Sequence, residues 1–266
     1  MHGIGTIKSY KYLSEQVERA KDDISSKRSI LCKDFNIRST SEEKWLDFDT
    51  VNNEDVFNIE DIKGNYAIGG ADLSSTTDLT CATLLVMKKG TKYILQQYFI
   101  PEEKIIEKEN DDKVPYKIWQ ERGLLTVCEG AQINFSDVTK WFLKMHEEMD
   151  ISALWVGYDP WGSVYWINEM KEVGFEMEEV IQGPKTMSNP MKQLEADLKE
   201  KKVNYNNNPI TKWCLLNTSI KTDENDNIRP VKGKKQRARI DGAVSLIDAY
   251  VVLYRKMNDY LALQEE

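Results

Sequence analysis

The sequence predicts an α/β fold in which a mixed β-sheet is flanked by helices. Three observations carry this expectation. Beyond Asn65 the chain changes from polar and charge-rich to a series of apolar runs; the first three runs are separated by short turns; and after Pro101 segments of helical and strand period alternate to the C-terminus.

Residues 1 to about 60 are polar, with helical spacing over Tyr10 to Ser26 and no clear period over Ile30 to Val51, so they read as an extension ahead of the core. Strands follow at Tyr66 to Asp72, Leu79 to Met87 and Lys92 to Ile100, with turn signals at Ser74-Ser75 and Lys88-Lys89-Gly90. Such spacing predicts an antiparallel meander. A charged helical stretch, a strand at Leu124 to Cys128, a helix from about Asp137 to Met149 and the strand Ala153 to Tyr158 come next. A helix from about Ser163 to Val173 leads to the strand Met177 to Ile181 and to helices at about Met191 to Lys201 and Pro209 to Leu216. A polar hairpin around Glu224 to Asn227 precedes the last helix, Asp241 to about Met257, which is apolar at Ala243, Val244, Leu246, Ile247, Tyr250, Val251 and Tyr254. No internal repeat interrupts this order.

With 266 residues, 41% of them hydrophobic, the chain can bury one substantial core. Its four cysteines have no paired spacing, which points to buried thiols in a reducing compartment and not to disulfides or zinc. No apolar run approaches the roughly 20 residues that span a bilayer, so no membrane association is expected. The net charge of −8 disfavours a surface that binds nucleic acid everywhere. Basic residues are nonetheless concentrated at Arg229, Lys232, Lys234, Lys235, Arg237 and Arg239, a stretch without acids directly before Asp241. In isolation such a run reads as a solvated loop; beside an acidic site it reads as a DNA-contacting one.

The chemistry-bearing candidates are three aspartates at element ends: Asp72 in Gly-Gly-Ala-Asp, Asp159 in Gly-Tyr-Asp-Pro, and Asp241 in Arg-Ile-Asp-Gly. Carboxylates brought together at one sheet edge bind hard divalent cations, and two ions about 4 Å apart can hold the attacking water and leaving oxygen of a phosphodiester. Singly, each has a structural reading as well: Asp241 as a helix-start residue, Asp159 as a turn residue before Pro160, Asp72 as a strand terminator. Asp78 and Asp248 are second-tier candidates, with Asp248 two turns beyond Asp241 on the same helix face. The only histidines are His2 and His146, and no Gly-x-x-x-x-Gly-Lys-Ser/Thr loop is present. Histidine-based hydrolysis and ATP hydrolysis through a phosphate loop are therefore not expected of this chain.

These residues also form a set with a known counterpart. Gly70-Ala71-Asp72-Leu73-Ser74, Asp78-Leu79-Thr80, Tyr158-Asp159-Pro160-Trp161, Gln182-Gly183-Pro184, Met191-Lys192-Gln193-Leu194-Glu195, Asn208-Pro209, Trp213-Cys214 with Asn217, and Arg239-Ile240-Asp241-Gly242-Ala243 occur in one order over roughly residues 60 to 260. In this set the chain resembles the C-terminal nuclease domain of the large terminase subunit of tailed bacteriophages. The resemblance implies a ribonuclease H-like fold and a two-metal endonuclease, using Mg²⁺ or Mn²⁺, that cuts concatemeric double-stranded viral DNA. It implies Asp72, Asp159 and Asp241 as the metal-binding catalytic acids. By the same carry-over, Lys232, Lys234, Lys235, Arg237 and Arg239 would face DNA. Residues 1–60 would be the linker and tail of a preceding ATPase domain, and 61–266 the nuclease domain. The implied partners are double-stranded DNA, the small terminase subunit, the portal and the ATPase domain of the same protein, in the cytoplasm of an infected bacterial host. One departure is visible: some members carry a histidine near the third acid or after the Asn-rich turn, where this chain has Arg239-Ile240 and Asn206-Asn207-Asn208. Two other readings remain open, a non-catalytic docking module of a packaging motor and a recombination or transposition nuclease of the same fold.

Overall fold

Seven strands form the central sheet, in the order β5-β4-β3-β2-β6-β7 with β8 also paired to β4. They are β2 (Tyr66–Asp72), β3 (Thr80–Lys88), β4 (Thr91–Pro101), β5 (Leu125–Cys128), β6 (Ser152–Tyr158), β7 (Met177–Glu179) and β8 (Val203–Asn204). The computed structural model describes residues 8–22, 30, 33–35, 43–74, 79–161, 164–233 and 238–264. The expected meander is present: β2 pairs β3 and β3 pairs β4 antiparallel, whereas β6, β7 and β5 join in parallel. The sheet is therefore mixed.

The central strand β2 is buried from Ala67 to Ala71, which explains a continuous small and apolar run where an alternating pattern would mark a half-exposed strand. Its two faces meet different layers. Gly69 lies against Val156 and Phe142, and Gly70 against Ser245 and Ala249. One layer therefore holds the helices Ser136–Glu147 and Val164–Glu172, and the other the helices Pro184–Lys199, Pro209–Asn217 and Asp241–Gln264. A side chain at Gly70 would meet the backbone of the C-terminal helix, and one at Gly157, paired with Gly70 across the sheet, would lie 2.9 Å from the Asp248 carbonyl. The paired glycines let the helix rest on the sheet backbone itself.

A buried polar relay fixes where it rests. The Gln96 amide donates to Thr83 Oγ1 (2.8 Å), the Thr83 and Ser245 hydroxyls are 2.6 Å apart, and Ser245 donates to the Gly70 carbonyl (3.0 Å). Gln96 also donates to the Gly242 carbonyl at 2.7 Å and accepts from Tyr98 and Thr211. A satisfied network of this kind specifies one position for the helix in a way that apolar packing alone does not.

Residues from Glu43 onward pack on the core: β1 (Glu43–Lys44) pairs β9 (Ser219–Thr222), which pairs β10 (Ile228–Val231) in a separate three-stranded sheet. Trp45, Leu46, Val51 and Ile62 are buried. The Lys201 ammonium donates to the carbonyls of Asp49 and Asn52, and Tyr205 donates to that of Val51, so the backbone of this segment is tied to the core. Its lack of a regular period reflects irregular backbone held by such bonds, not absence of packing. One expectation needs correction: the helix expected from Met191 begins at Pro184. Proline at the first position of a helix needs no partner for its missing N–H, so Pro184 marks the start. The other expected strands and the hairpin between β9 and β10 lie within a residue or two of their expected places, whereas β8 was not expected.

Candidate active site

Register brings the first two acids together. In the parallel β2–β6 pair Ala71 lies opposite Tyr158, so Asp72 and Asp159 leave neighbouring strands at the same end. Gly70 and Gly157 both face the C-terminal helix, and by the two-residue period of a strand Asp72 and Asp159 share that face. The third acid arrives along the next rungs. Asp72 pairs with Cys81 and Cys81 with Tyr98, while Gly242 packs directly on the Tyr98 ring, which sets Asp241 beside that row. Asp241 is 4% exposed and opens the helix, where the N-terminal end of the helix dipole favours a negative charge.

Electrostatics agree with this placement. Burial pushes the Cys81 and Cys214 thiols up, and the charges of both Asp241 and Asp72 add to the effect on each. These two thiols mark the ground between the acids and are inert as nucleophiles. The Asp159 carboxyl is raised by partial burial and by Glu179, against the Trp161 N–H, which donates to Asp159 Oδ1 at 3.2 Å.

A fourth acid joins them. Asp248 is fully buried, and its carboxyl is held well above the usual range by burial first, then by the charge of Asp72 and, further, of Asp159. Gln182 Nε2 donates to its Oδ2 at 3.3 Å, while Oδ1 has no hydrogen-bond partner among the described residues. Its seven-residue offset from Asp241 alone does not bring Asp248 to the site; the approach of the helix to Gly157 carries its second turn over β6. Gln182 carries no sequence signal of its own for this contact.

Asp72, Asp159, Asp241 and Asp248 supply only hard oxygen donors, the set that suits Mg²⁺ or Mn²⁺ and not a thiolate-loving ion. An unpartnered buried carboxylate oxygen among like charges is the feature a cation would relieve, so the donor chemistry fits such an ion. Among the described residues no group of three or more His, Cys, Asp or Glu is already drawn into a metal-binding arrangement.

The basic run divides. Lys234, Lys235 and Arg237, like Asp78, lie outside the described residues. Lys232 is half-buried at the end of β10. Arg239 differs from its expected role as a DNA contact: it is 5% exposed, with Nε 2.8 Å and Nη2 3.2 Å from the two oxygens of Asp112. That bidentate pair, with Tyr116 donating to Asp112 at 2.6 Å, anchors the residue two positions before Asp241 to the helix Ile105–Asp112. Its guanidinium is committed to the interior.

The model of the family described as "Terminase large subunit, endonuclease domain" matches residues 1–256. The chain belongs to this family. Among curated proteins it is 25% identical to "Protein YmfN" of Escherichia coli (strain K12), covering 95% of this chain and 58% of that one. It is 24% identical to the terminase large subunit of Enterobacteria phage HK97, over 91% of this chain and 48% of that one. The chain thus spans about half the length of the curated relatives it matches. The crystal structure of the HK97 large terminase superposes with a TM-score of 0.67 at 21% identity, over 93% of this chain and 51% of that one. The fold of this terminase nuclease domain is ribonuclease H-like. No helix among its described residues is long and apolar enough to cross a membrane.

Proposed function

We propose that the chain is a divalent-metal-dependent endodeoxyribonuclease that cuts concatemeric double-stranded DNA during viral genome packaging. The observation that supports this reading is the register that ends β2 and β6 together at Asp72 and Asp159, with the helix that carries Asp241 and Asp248 packed on the same face. Two divalent ions, Mg²⁺ or Mn²⁺, would supply activation of water and neutralisation of charge on the leaving oxygen. Asp72, on the central strand between β3 and β6, would be one of the residues that hold them. The Trp161 N–H orients Asp159, and the Gln182 amide orients Asp248. Burial and the charges of Asp72 and Asp159 hold the Asp248 carboxyl well above its usual range, and a cation held there would relieve that charge crowding.

Lys232, with Lys234, Lys235 and Arg237, would contact phosphates, which position a duplex without reading its sequence. Arg239 instead braces the segment that carries them. Site choice would then come from partners: the small terminase subunit, the portal and an ATPase domain of the same protein, in the host cytoplasm. The test is plasmid nicking in Mn²⁺, Mg²⁺ or EDTA by wild type and by Asp72→Asn or Asp241→Asn. Metal-dependent cutting, abolished in folded variants, is expected. Cutting that survives both substitutions, or absence of cutting by folded wild type in every metal, refutes the assignment.

A further inference from the structure

Trp161, Val164, Tyr165 and Ile181 stand in water on the β6–β7 side of the acids, exposed to 84%, 61%, 94% and 59%. Each is tied to the site by position. Trp161 follows Asp159 by two residues and holds it through its backbone N–H. Val164 and Tyr165 open the helix Val164–Glu172, whose register is fixed by the buried Trp166, Ile167 and Met170. Their exposure therefore cannot be relieved by turning the helix. Ile181 precedes Gln182, the residue bonded to Asp248, and lies just past Val180, whose N–H donates to the Tyr158 carbonyl at 2.8 Å. Large apolar side chains exposed beside a functional edge mark a contact surface.

The neighbourhood selects the kind of contact. Beside a carboxylate cluster a phosphate is repelled unless a cation lies between, so a neutral aromatic face is the group that can hold a nucleotide there. Lys232 follows β10, which belongs to the separate three-stranded sheet and not to the β6–β7 flank, which leaves phosphates to one side and bases to the other. A paired, stacked duplex offers no free base face. We infer that Trp161 and Tyr165 form a stacking platform for unpaired bases next to the scissile phosphate, so that the site acts on locally opened DNA. This inference rests on the nuclease reading above. Both are positioning residues, since stacking on a base leaves the reacting atoms to the acids.

The test compares cleavage in Mn²⁺ of a matched duplex and of the same sequence carrying a central unpaired bubble. Alanine at position 161 keeps the backbone N–H that holds Asp159, so Trp161→Ala removes the ring and not the acid's orientation. Wild type should favour the bubble, Trp161→Ala and Tyr165→Ala should each lower the bubble-to-duplex ratio by roughly tenfold, and Trp161→Phe should restore most of it. Equal cutting of both substrates by wild type overturns the inference, as does an unchanged ratio in the alanine variants, which would assign the patch to a protein partner. Cutting without preference sinks this inference alone. Failure to cut or bind either DNA in any metal sinks the nuclease reading with it.

Discussion

Gly70→Ala places one methyl between the sheet and the helix that carries two of the acids. A Cβ built at Gly70 lies 2.7 Å from Ala249 N and nearer still to the Ser245 carbonyl oxygen. Comfortable contact needs about 3.5 Å, so the helix Asp241–Gln264 must retreat by about 1 Å. Both obstructing atoms are backbone, so no side-chain rotation absorbs the change. Overpacking of this kind costs about 1–3 kcal/mol, or a fall in Tm of roughly 2–12 °C for a chain of this size. A 1 Å displacement of a catalytic group costs on the order of 100-fold in rate. Gly69→Ala is the matched control. Its Cβ would lie 2.8 Å from Val156 Cγ2 and 3.2 Å from Phe142 Cε1, on the opposite face of the sheet. It should destabilise to a similar extent while leaving Asp241 and Asp248 where they are. Thermal unfolding and Mn²⁺-dependent nicking, run on both variants well below their Tm, separate the two effects. Wild-type cutting by Gly70→Ala, or equal losses from both substitutions, would refute the argument that contact of this helix with the glycines sets the acid geometry.

Two further outcomes follow from the buried charges. Asp248→Asn keeps an acceptor for Gln182 and replaces a buried titratable carboxyl beside Asp72 with a neutral amide, so it should stabilise the metal-free protein at neutral pH by about 1 kcal/mol and abolish metal-induced stabilisation. The sign with pH is fixed by the raised folded-state value of this carboxyl. The folded protein binds the extra proton above the unfolded value of about 3.9, so the contribution of Asp248 is full below that pH and is lost as pH rises towards the folded value. A metal-free urea titration across pH that is flat or rises over this interval for wild type relative to Asp248→Asn would contradict it. Arg239→Ala should cost about 3–5 kcal/mol by stranding Asp112, 1% exposed, without its partner, and Asp112→Asn in the same chain should recover part of the loss. A loss below 1 kcal/mol in chemical denaturation would return Arg239 to the surface.

Much of the sheet was legible because a strand buried on both faces must be apolar throughout, as Ala67 to Ala71 is, and because turn residues such as Lys88-Lys89-Gly90 delimit it. Asp72 and Asp159 were legible as candidates for a related reason: an acid that ends an apolar run has to sit at the rim. The apolar positions of the last helix were legible too, but that helix is buried on every side from Asp241 to Leu253, and Tyr254, expected on its apolar face, is exposed. The sequence pattern did not say what the helix meets. In one dimension Asp248 is only a second-tier candidate and Arg239 one of a basic run, and both are interior, because Gly157 admits the helix over β6 and Asp112 receives the guanidinium from 127 positions away. The docking of Trp45 to Ile62 was hidden for the same reason, since its bonds run to Glu195, Lys201 and Tyr205. By itself the sequence determined the periods, the breaks and the types of chemistry available, all of which depend on near neighbours. Tertiary structure decided which acids lie at one end of the sheet and which basic residue is taken from the surface, because charge coupling and burial depend on distance in space, which the spacing of residues along the chain does not encode.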